Sequence, residues 1–187
     1  MANWTRISGY ITIYPGAFDK FIAEKFYELE DDESKDWEVV SVDFNAAAYL
    51  FSLFKANYRN STSDQFHMLL GDHAALELQH KKTGQQGRQC LYLSDILPKD
   101  ADDPLIRKVI QWPAGTEGPL DVNIIPTNRL TGWMIILQGS LRNYNLHQFI
   151  IWWEAIKQLI PADSYCVQAV DKVQTTPYCD IKYENFD

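Results

Sequence analysis

Residues 4–14 alternate. Ile7, Gly9, Ile11 and Ile13 share one parity, and Arg6, Ser8, Tyr10, Thr12 and Tyr14 share the other. A period of two with one apolar side predicts a half-buried strand, because successive side chains of a strand point to opposite faces. Pro15-Gly16 ends it. Phe18, Phe21, Ile22, Phe26 and Leu29 then recur at helical spacing and predict an amphipathic helix over 17–30. Trp37–Val42 predicts a short strand, and Asp43 stands where it can cap a helix over about 44–58. Segments 65–70, 74–80 and 88–93 predict a small meander with turns at Gly71-Asp72 and Thr83–Gly87. Asp103-Pro104 predicts the start of a short helix over 104–111.

Residues 112–160 hold the clearest pattern. After the glycines at 115 and 118, Leu120, Val122 and Ile124 alternate in a strand that Pro126 is expected to close. Asn128 to Gly132 make a hairpin connection, and Trp133, Ile135, Leu137 and Leu141 share one face of the next strand, interrupted at Gly139. Asn145 is placed to cap a helix, with Gln148 as its capping-box partner. Leu146, Phe149, Ile150, Trp153, Ile156 and Ile160 form the apolar stripe of that helix, and Pro161 stops it. Ile151 and Trp152 fall off the stripe, so either another segment covers them or they form an exposed aromatic patch. Segments 165–170 and 178–184 read as closing strands. The skeleton is strand, helix, insertion, strand, strand, helix, strand. That order predicts an α+β fold with a ferredoxin-like split βαβ core, an antiparallel sheet with helices on one face. The expectation is one domain over 1–187, its core in 1–30 and 113–187, with an α/β insertion over 31–112 made of a helix and a small meander.

Three pieces of this skeleton carry a resemblance. They are Asn3, Trp4, Thr5 and Gly9 in the opening strand; Pro113, Gly115, Glu117, Gly118, Pro119 and Leu120 in the turn; and Gly139, Leu141, Arg142, Asn143 and Tyr144 at a strand end. In these motifs the chain is similar to a group of small uncharacterised proteins encoded by bacteriophages and prophages. The resemblance covers about a third of the chain, mostly turn glycines and core aliphatics, and leaves out 31–112 and the C-terminal tail. It implies a phage origin and action in the bacterial host cytoplasm, and it brings no active site with it.

Composition narrows the classes. Of 187 residues, 46% are hydrophobic and 22% charged, an ordinary globular balance that needs no disulfide or metal to build a core. The N-terminus enters strand alternation at once, and the densest apolar run, Phe149–Trp153, is too short to span a bilayer. Three cysteines suit a reducing compartment; Cys166 and Cys179 could face each other across the closing hairpin or stay reduced. The net charge of −8 is concentrated. Between Asp19 and Asp43 ten acids meet three lysines, a local net charge of −7, so no basic footprint for direct nucleic-acid binding exists. Such a block is either a solvated helix end or a surface for a basic partner.

Candidate chemistry is sparse. His67, His73 and His80 lie close in sequence, but on strands His80 has the wrong parity to join the others around a metal, so no metal and no cofactor are expected. Ser140 and His147 flank a strand–helix junction without a nucleophile elbow. Thr83–Gly87 lacks the lysine of a phosphate loop, and Glu117 reads as an acceptor for turn amides. Arg129 and Arg142 are candidate anion clamps. The favoured reading is therefore non-enzymatic. It is a phage accessory protein that binds and inhibits a host protein with a basic surface, a nucleic-acid-handling defence factor such as a CRISPR effector. Glu28, Glu30, Asp31, Asp32, Glu33 and Asp36 would supply the contact charges. The second reading is a nucleotide-binding protein or enzyme with Tyr10, Tyr14, Trp133 and Arg142 lining a pocket beneath an inserted lid. The third is a structural or assembly homodimer formed through an aromatic surface.

Overall fold

The structure, a computed structural model, describes residues 4–29, 35–56, 73–92, 120–127, 132–142, 146–171 and 177–183. These residues form, in chain order, β1 (Trp4–Ile13), α1 (Ala17–Leu29), β2 (Trp37–Asp43), α2 (Ala46–Ala56), β3 (His73–His80), β4 (Gln86–Tyr92), β5 (Leu120–Thr127), β6 (Gly132–Arg142), α3 (Leu146–Leu159), β7 (Ser164–Asp171) and β8 (Tyr178–Lys182). The architecture is α+β. A five-stranded antiparallel sheet runs β5-β6-β1-β7-β8, and a three-stranded antiparallel sheet runs β2-β3-β4.

β1 is the axis of the large sheet. It pairs with β6 from Trp4↔Arg142 to Ile13↔Trp133 and with β7 from Thr5↔Asp171 to Thr12↔Ser164. Its alternation decides both faces. Ile7, Ile11 and Ile13 are buried, while Arg6, Ser8 and Tyr10 on the other parity are exposed. The strand ends in a turn that its sequence dictates. Pro15 fixes the second position, Gly16 takes φ +83° in the third, and the Ala17 amide donates to the Tyr14 carbonyl at 3.1 Å. Asp163 ties the same end to β7, accepting from the Tyr14 amide at 2.6 Å and donating its own amide to the Thr12 carbonyl at 3.0 Å.

Two cores follow from how the helices divide. The main core joins the inner side of the large sheet (Ile7, Ile11, Leu137, Val167) to Phe149, Trp153 and Ile156 of α3 and to Tyr49, Leu50 and Leu53 of α2. The Tyr49 hydroxyl donates to the Leu159 carbonyl at 2.6 Å and locks the two helices together; burial pushes its phenol well above the ordinary value. α1 contributes Ala17 and Phe18 to this core and then turns Ile22 and Phe26 against Ala74, Leu76, Leu78 and Leu91 of the small sheet. Trp152, off the apolar stripe of its helix, is 1% exposed because α2 covers it, with Phe54 at 6.3 Å between ring centroids.

Several elements differ from the sequence expectations. Asn45 caps α2, its Oδ1 accepting from the Ala48 amide at 3.0 Å, because Asp43 is still paired with Ala75 inside the small sheet. Pro126 does not close β5, which continues to Thr127; β5 is an edge strand, where a missing amide donor leaves no ladder bond broken. Gly139 does not interrupt β6, since it pairs with Ile7 and Leu120. The third strand of the small sheet is β2; the strand expected over 65–70, the helix over 104–111 and the Asn145 cap lie outside the described residues. Cys166 stands opposite Ile181 and Cys179 opposite Gln168, a diagonal placement too wide for a disulfide, and both thiols are free.

Gly9 marks a close approach of backbones in the large sheet. A Cβ there would lie 2.6 Å from the Cys166 carbonyl oxygen and 2.9 Å from Val167 Cα, backbone atoms that no rotamer change can move. Overpacking of this kind costs about 1–3 kcal/mol. Gly9→Ala is expected to lower the urea midpoint accordingly, while Ser8→Ala, one residue away on the open face, should stay within about 0.5 kcal/mol of the parent protein.

Candidate functional site

Among the described residues, no helix or strand packs on the face of the large sheet opposite the helices. Register places Asn123, Ile136, Tyr10, Cys166 and Ile181 in one row across all five strands. Ile125, Met134, Thr12 and Ser164 form the row on one side, and Asp121, Gln138, Ser8, Gln168 and Cys179 the row on the other. Apolar side chains stand in water here: Tyr10 is 45% exposed, Ile125 43%, Ile181 40% and Met134 36%. A shallow, almost wholly apolar trough of about 580 Å³ runs across the centre, lined by Tyr10, Met134, Ile136, Gln138, Cys166 and Gln168 among others. Charge is confined to the margins of the face, with Asp121 on the edge strand and Arg6 and Arg142 at register positions toward one end. A solvated sheet face carries charged residues on its outward parity, whereas a contact surface is depleted of them at its centre. The sequence signal for this face was the apolar content of the outward parity of β6, Met134 and Ile136, which alternation alone assigns to water.

A second recess of about 310 Å³ lies where the starts of α1 and α2 meet the end of β2. Phe18, Phe44 and Trp133 give it apolar walls, and Asp19, Asp43 and Asn45 give it polar groups. Burial pushes the Asp19 carboxyl above its ordinary value. The indole Nε1 of Trp133 is buried and has no hydrogen-bond partner among the described residues.

A third grouping pins the edge strand β8 to α3. Asp180 accepts from Trp153 Nε1 at 2.8 Å and from Lys157 Nζ at 2.6 Å, and Lys157 also donates to Glu154 at 2.7 Å. The same ammonium lies 5.6 Å from the Tyr165 ring centroid and 5.8 Å from that of Trp153. Burial pushes the Asp180 carboxyl up, but the bonds from Lys157 and Trp153 outweigh it and hold the group below the ordinary carboxylate range. Burial likewise works against the charged Lys157, and the Asp180 and Glu154 carboxylates overcome it and raise its pKa. Burial and the two neighbouring carboxylates push the Tyr178 phenol up to about 12. Residues 157 and 180 share no local motif, so nothing in the sequence pairs them.

The residues singled out in the sequence scatter. Tyr10 is on the open face; Tyr14 is exposed just beyond the end of β1; Trp133 is on the opposite, inner side, packed against the main core. Arg142 occupies an outward register position, and its side chain lies outside the described ones. These four therefore do not line one pocket. Of the acidic set, Glu28 pairs with Lys25 at 2.5 Å and Asp36 with Lys82 at 2.9 Å, which holds the Asp36 carboxyl below its ordinary value; Glu30, Asp31, Asp32 and Glu33 lie outside the described residues. His80 serves its hairpin, Nδ1 accepting from the Lys82 and Thr83 amides at 3.2 Å each. His73 stacks on Tyr92 at 6.0 Å, His67 is outside the described residues, and no cluster of metal-ligating side chains occurs among the described ones. Glu117 and Arg129 also lie outside them. No described helix is long and apolar enough to cross a membrane. No family model, no curated protein and no solved structure matches this chain.

The Asp180 clasp has a defined pH window. Asp180 is depressed in the folded state, so its contribution is present above the unfolded value near 3.8 and is lost as pH falls through the folded one. Lys157 is raised, so its contribution is complete below 10.5 and is lost as pH rises through its folded value. Asp180→Ala is expected to cost about 1.5–3 kcal/mol in urea unfolding at pH 7. It should also flatten the fall of stability below pH 3.8; an unchanged acid limb would mean that the clasp contributes nothing.

Proposed function

We propose that this protein acts by binding other proteins and performs no chemistry of its own, with the open face of the five-stranded sheet as its contact surface. The observation that carries this reading is an exposed band of aromatic and aliphatic side chains, from Ile125 to Ile181, whose centre holds no charge. The resemblance in the NWT, turn and strand-end motifs gives the reading its setting, a phage accessory protein that inhibits a host defence factor in the bacterial cytoplasm. The acidic stretch from Glu28 to Asp36 then serves as a second contact for a basic partner. We also read the large sheet as a ferredoxin-like split βαβ core within one domain. In support, β1, β5, β6 and β7 stand in the order β5-β6-β1-β7, all antiparallel, with β8 added at one edge. On this reading segment 31–112 is an insertion that lends α2 to the main core.

A capture experiment tests the proposal. Tagged chain is incubated in bacterial lysate that also contains untagged chain, and every retained protein is scored. The double variant Tyr10→Arg/Met134→Lys should lose its retained protein while keeping the parent circular dichroism, because both residues are substantially exposed. Charge reversal at Glu28, Glu30, Asp31, Asp32, Glu33 and Asp36 should remove a basic host partner alone. If the double variant retains the same proteins as the parent, the open face is not the contact surface.

One observation favours a second reading, a small-ligand binder. The recess beside Trp133 combines aromatic walls with two carboxylates and a buried indole donor. A thermal-shift screen with nucleotides tests it. Stabilisation by one nucleotide, lost in Asp19→Asn, is the expected result, and a flat screen removes the reading.

A further inference from the structure

We propose that the open face of the five-stranded sheet is covered by a second copy of this chain, in a symmetric face-to-face dimer centred on the Tyr10 row. The inference rests on the reading of that face as a protein contact surface and names its occupant.

Three observations select a second copy. The first is charge. The chain carries a net −8, so two copies repel wherever charged surfaces meet. The open face is where they can meet without that penalty, since its central rows are Asn123, Ile136, Tyr10, Cys166 and Ile181, flanked by Met134 and Gln138. A basic host protein would be drawn by charge to the acidic stretch instead, whereas a second copy of this acidic chain is not.

The second is extent. Five strands at about 4.8 Å and three outward rows at about 6.8 Å give a face of roughly 500 Å² per copy, or about 1,000 Å² for the pair. That is the lower bound of a specific protein–protein interface. A single bound peptide would leave much of such a face in water.

The third is shape. A symmetric contact requires one patch to be complementary to itself. This patch presents both parts, the half-exposed Tyr10 ring and the apolar trough of about 580 Å³ beside it. Two antiparallel sheets meeting face to face is a standard packing, with the sheets about 10 Å apart and side chains interleaved.

The native protein carries its own reporters for the test. Cys166 lies in the centre of the face, and Cys90 is exposed on the small sheet. Sedimentation of the full chain from about 1 to 200 μM should show a shift from the 21.6 kDa monomer toward twice that mass. Over the same range maleimide labelling of Cys166 should slow while that of Cys90 stays constant. Tyr10→Lys, at an exposed position, should weaken self-association by about tenfold or more. Met134→Lys provides the same test on a second strand. Equimolar mixing of Tyr10→Lys with Tyr10→Glu should restore the heavier species.

A parent chain that stays at 21.6 kDa throughout overturns the dimer. So does a dimer that survives both lysine variants, or Cys166 and Cys90 labelling that never diverge. A monomeric parent whose retained host protein is lost in Tyr10→Arg/Met134→Lys overturns this proposal alone and leaves the face as a contact surface for the host protein. A double variant that loses nothing overturns the reading of the face itself.

Discussion

The central strand constrains everything else. β1 is hydrogen-bonded on both sides along almost its whole length, so its pleat fixes the pleat of β6 and β7 and, through them, of β5 and β8. With a period of two there is no intermediate choice. Once Ile7, Ile11 and Ile13 face the helices, Ser8 and Tyr10 face away, together with Ile136 and Met134 on one neighbour and Cys166 on the other. Gly9 allows this arrangement where β7 backbone occupies the space of a side chain. The inner core and the open apolar face are thus two consequences of a single register.

The helices complete the inner side and leave the outer side bare. α2 and α3 meet over the large sheet, joined by the Tyr49–Leu159 hydrogen bond and by Phe54 against Trp152. α1 is shared, with Phe18 at the main core and Ile22 and Phe26 at the small sheet. The small sheet therefore spends its apolar side on α1 and has none to offer the open face. At the far edge, where β8 has only five residues, the Asp180–Lys157–Trp153 clasp does what ladder length does elsewhere. An edge strand held by a partly buried charge pair remains in register without needing to be long.

Much of this was legible in the chain. The alternation of residues 4–14 and the stripe of Leu146, Phe149, Trp153 and Ile156 identify β1 and α3 because each periodicity persists over ten or more residues. The sequence also offered two fates for Trp152, and packing by α2 decides between them. What periodicity does not contain is partnership. α1 and α2 each present one apolar stripe, and nothing local says that one belongs to the small sheet and the other to the large. Pro126 was misread because edge position is a property of the sheet, and Asp43 because pairing with Ala75 outcompetes capping. The candidate site suffered most. Tyr10 and Trp133 look alike in a list of aromatics, yet their opposite parity across one ladder puts a whole sheet between them. The clasp joins residues 23 positions apart with no motif to announce it.

The two surfaces of functional interest belong to different parts of the fold, and this bears on whether they can work together. Glu28 lies in the last turn of α1, whose Ile22 and Phe26 pack on the small sheet, and Asp36 precedes β2 of that same sheet. Neither residue stands on a strand of the five-stranded sheet, whose outward rows carry no charge at their centre. In the proposed dimer, two chains of net −8 would meet through rows that carry no charge at their centre. As proposed, the uncharged face and the charged stretch divide the work: self-association would use the surface where charge is missing, and recognition of a basic partner the stretch where it is concentrated.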